Sequence, residues 1–191
     1  MAQHTFDASG ASGLEDESRH EYLSVDELLK LLDPDPADVV ADLGSGTGFY
    51  TRPVAEYVDR IVAIDLQPAM HAAFDEYGVP VNVDRVTATI ESLPVRTNAL
   101  DAVFSTMTYH EFADERALSE LHRALIPGGR LAIADWTAAG ERHRGPPLDE
   151  RFDARMVAAH LERAGFAVER AQDRRETLVV AATRPGPSRQ S

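Results

Sequence analysis

Residues 41–50 read ADLGSGTGFY. Three glycines, Gly44, Gly46 and Gly48, alternate with small residues directly after the apolar run VVADL (39–43). A short apolar run bounded by glycines reads as a buried strand entering a tight turn. Glycine there lets the chain bend and lets a ligand touch backbone. A helix is expected over residues 48–57, and its free N–H groups would favour an anionic group. The next apolar run, RIVAID (60–65), ends on Asp65, 21 positions after Gly44. An acid in that place accepts hydrogen bonds from the two hydroxyls of a ribose. In an open parallel sheet, ligands bind beyond the carboxyl ends of the strands, where strand order reverses. The stretch therefore predicts an adenosine-type ligand. It does not predict a dinucleotide: the fingerprint G-x-G-x-x-G would need its third glycine at Phe49. The pattern present is G-x-G-x-G, with no sign of a pyrophosphate cradle.

The same alternation extends in both directions. Upstream, Ser24 and Glu27 form a capping box before the leucines of SVDELLKLL, and DPDPAD (33–38) stops that helix. Downstream, helices are expected over 68–77, 114–125 and 154–165, with Asp114 as a cap. Further strands are expected over 83–88, 100–106 and 130–136. FAVERAQ and ETLVVAAT close the chain as an antiparallel hairpin. Strands and helices that alternate, with near-continuous apolar strands, mean an α/β fold: a doubly wound, Rossmann-like sheet of seven strands covered on both faces. No internal repeat or linker interrupts it. Residues 1–18 are small and polar and are expected to form a mobile tail, as are residues 184–191. One domain is expected over 19–183.

Composition narrows the functional classes. The chain has 191 residues and no cysteine, which removes disulfides, thiolate catalysis and sulfur-based zinc sites. No metal site is expected. No apolar run approaches the roughly 20 residues that span a bilayer, and the N-terminus has no basic and apolar leader. A cytoplasmic location without membrane contact is expected. Aspartate and glutamate total 32 against 19 lysines and arginines, a net charge of −13. Such a field repels nucleic acid phosphates, so no nucleic acid partner is expected. The acids are scattered, which reads as a solvated acidic surface of the kind found in salt-loving organisms rather than a cation-selective site.

Five segments, VVADLGSGTGFYT, IVAIDLQPAM, ATIESLPV, LDAVFSTMTYHEF and LHRALIPGGRLAIADW, resemble in order the motifs of class I S-adenosylmethionine-dependent methyltransferases, in their small-molecule branch. The resemblance covers residues 19–183. It implies strand order 3-2-1-4-5-7-6 with strand 7 antiparallel, and S-adenosyl-L-methionine as cofactor with S-adenosyl-L-homocysteine as product. It implies that Gly44, Ser45, Gly46 and Gly48 lie along the methionine part, with Asp42 beneath them. Asp65 would hold the ribose, Leu66 and Ile90 the adenine, and Thr106 the methionine amine or the sulfonium. Thr89 stands where the family commonly has aspartate. Tyr22 would cover the cofactor as a lid.

Methyl transfer from a sulfonium is an in-line displacement, and a general base is needed only if the acceptor must lose a proton. TYHEF (108–112) follows the fourth strand, and His110 is the candidate base; its other reading is a helix-start residue that bonds the cofactor or a loop. Glu111 reads as a helix-start charge. HEFAD is not H-E-x-x-H, so a zinc protease site is rejected. Tyr109 and Trp136 are candidates for the acceptor pocket or for the core. Asp135 either faces the pocket or caps the next turn. Arg142, His143 and Arg144 form either an anion-binding loop or a solvated one. The acceptor is expected to be a small molecule, since the sheet's own loops must form its pocket. Two rival readings stand beside methyl transfer: a nicotinamide- or flavin-binding oxidoreductase, and a non-catalytic S-adenosylmethionine-binding module.

Overall fold

The computed structural model describes residues 8–141 and 144–186. Seven strands form one sheet: β1 (Val39–Leu43), β2 (Arg60–Asp65), β3 (Val83–Thr87), β4 (Leu100–Thr106), β5 (Leu125–Trp136), β6 (Ala167–Asp173) and β7 (Thr177–Thr183). Their order is β3-β2-β1-β4-β5-β7-β6. The pairs from β3 to β5 are parallel, and β7 runs antiparallel to both β5 and β6. This is the expected order. The central strands read as apolar runs because both faces are covered: β1, β4 and β7 are buried almost throughout, as is β5 over residues 131–135.

Among the described residues, six α-helices flank the sheet: α1 (Val25–Leu32), α2 (Thr51–Val54), α3 (Pro68–Tyr77), α4 (Tyr109–Phe112), α5 (Glu115–Ala124) and α6 (Ala154–Arg163). One core packs Leu28, Leu31, Leu32, Tyr50, Val54 and Phe74 against Val40, Ile61 and Phe104. The opposite core packs Tyr109, Phe112, Leu118, Leu121, Val157 and Leu161 against Leu43, Ile64, Val103 and Ile133. Alternate residues of each strand serve alternate cores, as the two-residue period of a strand requires. Each fully buried leucine contributes about 1.5–3 kcal/mol, so the two leucine-rich helix faces fix how α1 and α5 sit.

Helix starts follow the expected chemistry. Asp114 Oδ1 accepts from Ala117 N at 2.8 Å, and Asp153 Oδ1 accepts from Met156 N at 2.7 Å. Ser24 Oγ accepts from Glu27 N at 3.2 Å. The return half of that capping box is replaced: the Glu27 carboxylate pairs with Arg174. A charged partner from the turn between β6 and β7 outcompetes a backbone N–H.

Three expectations need correction. Residues 8–18 are not a loose tail; Ala8–Glu15 and Glu17–Glu21 form 3-10 helices. Glu15 bonds Thr47 Oγ1 and pairs with Arg52, both at 2.5 Å, which ties this segment to the sheet's upper end. The helix expected over 48–57 shrinks to the single turn of α2 followed by a 3-10 turn, Ala55–Tyr57. Pro53 lies within that turn and lacks the N–H a longer helix needs. Its dipole is too short for the anion argument made above. Arg184 is held in the sheet, with its N donating to Gly129 O and its O accepting from Gly128 N. Residues 1–7 and 187–191 lie outside the described residues.

Candidate functional site

Strand order reverses between β1 and β4, and the loops leaving those strands surround a cavity of about 670 Å³. Its size is that of a site for a cofactor-sized ligand. The glycine loop forms the floor. Gly44 N and Ser45 N both donate to Ile64 O, at 2.9 and 3.0 Å, and Gly48 N donates to Ser45 O at 2.9 Å. All three glycines have positive φ: +70°, +54° and +80° for Gly44, Gly46 and Gly48. Two of them face protein. A Cβ on Gly44 would sit 2.3 Å from Thr108 Cγ2, and one on Gly48 would sit 2.2 Å from Phe74 Cζ. Gly48 therefore packs the loop against α3 and does not line the cavity, contrary to the cofactor role expected for it. Gly44, Ser45 and Gly46 do line it. The Ser45 hydroxyl is buried and has no partner among the described residues.

Asp65 stands at the end of β2 and faces the cavity. Its Oδ2 accepts from Gly46 N and its Oδ1 from Gln67 N, both at 2.9 Å. Two backbone donors thus fix the carboxylate, and each oxygen keeps a lone pair for a ligand hydroxyl. Leu66, Thr89, Ile90 and Thr106 also line the cavity, as expected. Asp42 lies beneath the loop at 1 % exposure, outside the lining. Thr51 Oγ1 donates to its Oδ2 at 2.5 Å, and Oδ1 has no partner among the described residues. Burial, reinforced by Asp65 and opposed by the Thr51 bond and Arg19, pushes the Asp42 carboxyl up to about 7.

On the far side of the cavity, His110 N donates to Asp135 Oδ2 at 2.7 Å. His110 Nδ1 lies 2.9 and 3.0 Å from the two Asp135 oxygens. Burial alone would lower the His110 pKa, but the Asp135 hydrogen bond and charge, aided by Glu111 and Glu150, raise it above its ordinary value. A carboxylate at Nδ1 selects the Nδ1–H tautomer and leaves Nε2 as the nitrogen open to the cavity. Asp135, at the end of β5, is buried to 1 % exposure and also accepts from Trp136 N at 2.7 Å. Asp135 does not line the cavity, and its carboxylate does a job that neither reading gave it: it orients the histidine.

Trp136 lines the cavity, 5.0 Å from the Tyr22 ring in an edge-on contact. Tyr22 lines it too, at the close of the N-terminal 3-10 segment. Tyr109 does not. It is fully buried, packs on Phe112 and Phe152, and its hydroxyl lies 3.1 Å from His160 Nδ1. Tyr109 points into the core beneath the sheet's far face, while His110, next to it in the same one-turn helix, lines the cavity. Gly145 closes over the Trp136 indole, and Arg151 holds the loop by donating to Pro146 O at 2.8 Å and Arg144 O at 2.5 Å. Arg144 lies at the rim; Arg142 and His143 lie outside the described residues. Leu14, Arg19 and Phe49 also line the cavity and were not expected there. For Leu14 and Arg19, the polar, aperiodic segment around them carried no signal of burial. Phe49 was read only as a missing glycine.

Residues 41–133 match the sequence profile of a methyltransferase domain. The whole fold superposes on the crystal structure of an S-adenosylmethionine-dependent methyltransferase from Aquifex aeolicus. The TM-score is 0.85 and the identity 30 %, covering 94 % of this chain and 100 % of that one. The chain belongs to the class I S-adenosylmethionine-dependent methyltransferases. That membership overturns the oxidoreductase reading. Among curated relatives, an uncharacterised methyltransferase of Mycobacterium tuberculosis is 35 % identical over 116 residues, 61 % of this chain and 46 % of the relative. The demethylmenaquinone methyltransferase of Corynebacterium urealyticum is 37 % identical over 107 residues, 56 % of this chain and 45 % of that protein. The matched segment thus spans less than half the length of these curated relatives. The cavity of this methyltransferase fits the family's cofactor. It combines a fixed carboxylate, a buried unpartnered hydroxyl and an open backbone turn beside an apolar shelf. Among the described residues, no helix is long and apolar enough to cross a membrane and no acid–histidine cluster is suited to a metal.

Proposed function

We propose that this methyltransferase moves a methyl group from S-adenosyl-L-methionine to a small-molecule acceptor, with His110 as general base. The observation that carries this reading is the His110–Asp135 pair on the wall of the cavity that also holds the glycine loop and Asp65. The cofactor, when bound, supplies a methyl group already activated on a sulfonium. Asp65 binds the ribose hydroxyls, Leu66, Thr89 and Ile90 hold the adenine, and Ser45 and Thr106 face the methionine part. Tyr22 and Trp136 wall the acceptor side and exclude water. His110 Nε2 takes the acceptor's proton as the new bond forms, and Asp135 stabilises the resulting charge. An acceptor with an O–H or N–H group is what such a base serves. The names of two relatives, a demethylmenaquinone methyltransferase and a malonyl-[acyl-carrier protein] O-methyltransferase, describe different acceptors, so neither transfers to this chain.

The test has two stages. Calorimetry with S-adenosylhomocysteine should give binding that Asp65→Ala weakens by roughly 10- to 100-fold, the loss of a hydrogen-bonded charge. A panel of small hydroxyl and amine acceptors, read by S-adenosylhomocysteine release, should then return turnover that His110→Ala abolishes. Binding with no turnover across the panel would favour a non-catalytic cofactor-binding module instead.

A further inference from the structure

The end of the cavity around His110 carries negative charge. Glu150 lines it from the 3-10 turn Leu148–Glu150, and Glu111 lines it beside His110 on α4. The charges of both reach the His110 ring, which Asp135 already holds from behind. Glu150 is half-buried, and among the described residues no hydrogen bond or ion pair engages its carboxylate. The turn that carries it is fixed. Glu150 N donates to Pro147 O at 3.1 Å, and Arg151 N donates to Leu148 O at 3.2 Å. The Arg151 side chain, 6 % exposed, pins the preceding loop through Pro146 O and Arg144 O. A carboxylate held half out of water without a partner is costly unless a cation meets it.

The arginines that line the cavity do not supply that cation. Arg19 lies over Phe49 and Tyr50, on the glycine-loop side. Arg144 stands half-exposed at the rim, over the Tyr22 ring and 4.0 Å from Asp16. Two features mark the cavity as a ligand site independently of its acids. The Ser45 hydroxyl on its floor is buried and unpartnered, and the His110–Asp135 pair stands on its wall. Methyl transfer also moves charge. Positive charge leaves sulfur, and with a nitrogen acceptor it arrives on nitrogen. Carboxylates fixed around the acceptor stabilise that arriving charge. They repel an acceptor that reacts as a carboxylate or a phenolate. Tyr22, Trp136 and Phe112 offer an apolar wall for the rest of the molecule.

We propose that the acceptor is a small amine with an apolar body, held by Glu150 and Glu111 with its nitrogen toward His110. This rests on the reading above, in which an S-adenosyl cofactor fills the cavity and His110 is the base, and it narrows the acceptor to an amine. The ammonium gives one proton to His110 Nε2. The freed lone pair forms the N–C bond, and the C–S electron pair stays with sulfur as a neutral thioether. The product is a methylated ammonium, and the proton passes from His110 to water.

NMR titration of the full chain saturated with S-adenosylhomocysteine tests it with three probes of similar shape: phenylethylamine, phenylethanol and phenylpropanoate. The amine should bind roughly 10- to 100-fold more tightly than the alcohol, and the carboxylate most weakly. Glu150→Gln should cut the amine's affinity roughly 10-fold and leave the alcohol's unchanged. Glu150→Asp should recover part of the loss. An amine that binds wild type no better than the alcohol would overturn the proposal, and that comparison needs no variant. Equal weakening of amine and alcohol by Glu150→Gln would also overturn it, because Glu150 would then only shape the wall. S-adenosylhomocysteine release with hydroxyl acceptors and with no amine would overturn it too, while leaving His110 as the base. A chain that does not bind S-adenosylhomocysteine would instead refute the cofactor reading beneath it.

Discussion

Replacing Asp135 by asparagine keeps the side chain's shape and removes its charge. In the native pair, the carboxylate lies 2.9 Å from His110 Nδ1 and is 2 % exposed. Two unit charges about 4 Å apart interact by about 4 kcal/mol at the effective dielectric of a protein site. Losing that interaction leaves burial as the dominant influence, and burial lowers a histidine pKa. The His110 titration should therefore cross from above its ordinary value in the wild type to below it in the variant. NMR of the His110 ring as a function of pH reads this directly and needs no acceptor. The consequences have opposite signs. A histidine raised in the folded state adds stability below its unfolded value of roughly 6.5 and loses it as pH rises through the folded value. As a base it works only when neutral, so turnover should climb as pH passes the folded value. Asparagine also frees the ring to adopt the wrong tautomer. Turnover in Asp135→Asn should then fall roughly 10²- to 10⁴-fold, the range that a general base contributes. Adding His110→Ala should cost little more, since the two act as one unit. A wild-type His110 titrating at or below about 6.5, or one that Asp135→Asn does not move, would refute the reasoning.

Gly48→Ala combines a left-handed backbone with a methyl placed 2.2 Å from the Phe74 ring. Strain and overpacking together should destabilise by roughly 2–5 kcal/mol, read as a lower midpoint in denaturant unfolding; an unchanged midpoint would deny the packing role. Asp42 carries the same sign of pH dependence as His110, in a window that starts at lower pH. Its carboxyl is held up at about 7 by burial, so the fold is favoured at low pH and loses a few kcal/mol as pH rises from about 4 to 7. Asp42→Asn should flatten that fall in a plot of Tm against pH, and an equal offset at pH 5 and pH 8 would contradict it. Glu15→Gln should release the N-terminal segment. The half-buried pair with Arg52 is worth about 1 kcal/mol, so stopped-flow dissociation of S-adenosylhomocysteine should quicken about fivefold.

Most of the sheet was legible because β1, β2, β4 and β7 are buried on both sides and so read as near-continuous apolar runs. β1, β2 and β4 begin and end where the runs do. The helix after the glycine loop was not legible in length, since Thr51, Arg52 and Val54 look helical on their own. The single Pro53 and the packing of Tyr50 toward Leu23 decide otherwise. Asp65, Leu66, Thr89, Ile90 and Thr106 lie at strand ends, where topology alone brings them to one cavity. Tyr109 stayed open between pocket and core, because adjacency to His110 in sequence does not say which of the two side chains turns inward; it takes the core place. The N-terminal segment was misread for a different reason. It has almost no apolar residues, and what orders it is a set of long-range polar contacts, Glu15 to Thr47 and Arg52, and Arg19 over Phe49 and Tyr50. Local pattern carries no trace of partners more than thirty residues away.

The glycine loop shows the same limit from the other side. Its glycines suggested a ligand pressing on bare backbone, and Gly44–Gly46 do floor the cavity. Yet the atoms that exclude a Cβ at Gly44 and Gly48 belong to Thr108 and Phe74. Thr108 lies two residues before His110, and its hydroxyl donates to Thr106 O at 3.0 Å. The contact at Gly44 therefore ties the glycine loop to the segment that presents His110. A side chain there would push Thr108, and with it the turn at Met107, which is already held at φ +58°. Under the function proposed for this site, the loop that would cradle the methyl donor also sets where His110 stands, which would link binding to chemistry through direct packing rather than through the ligand.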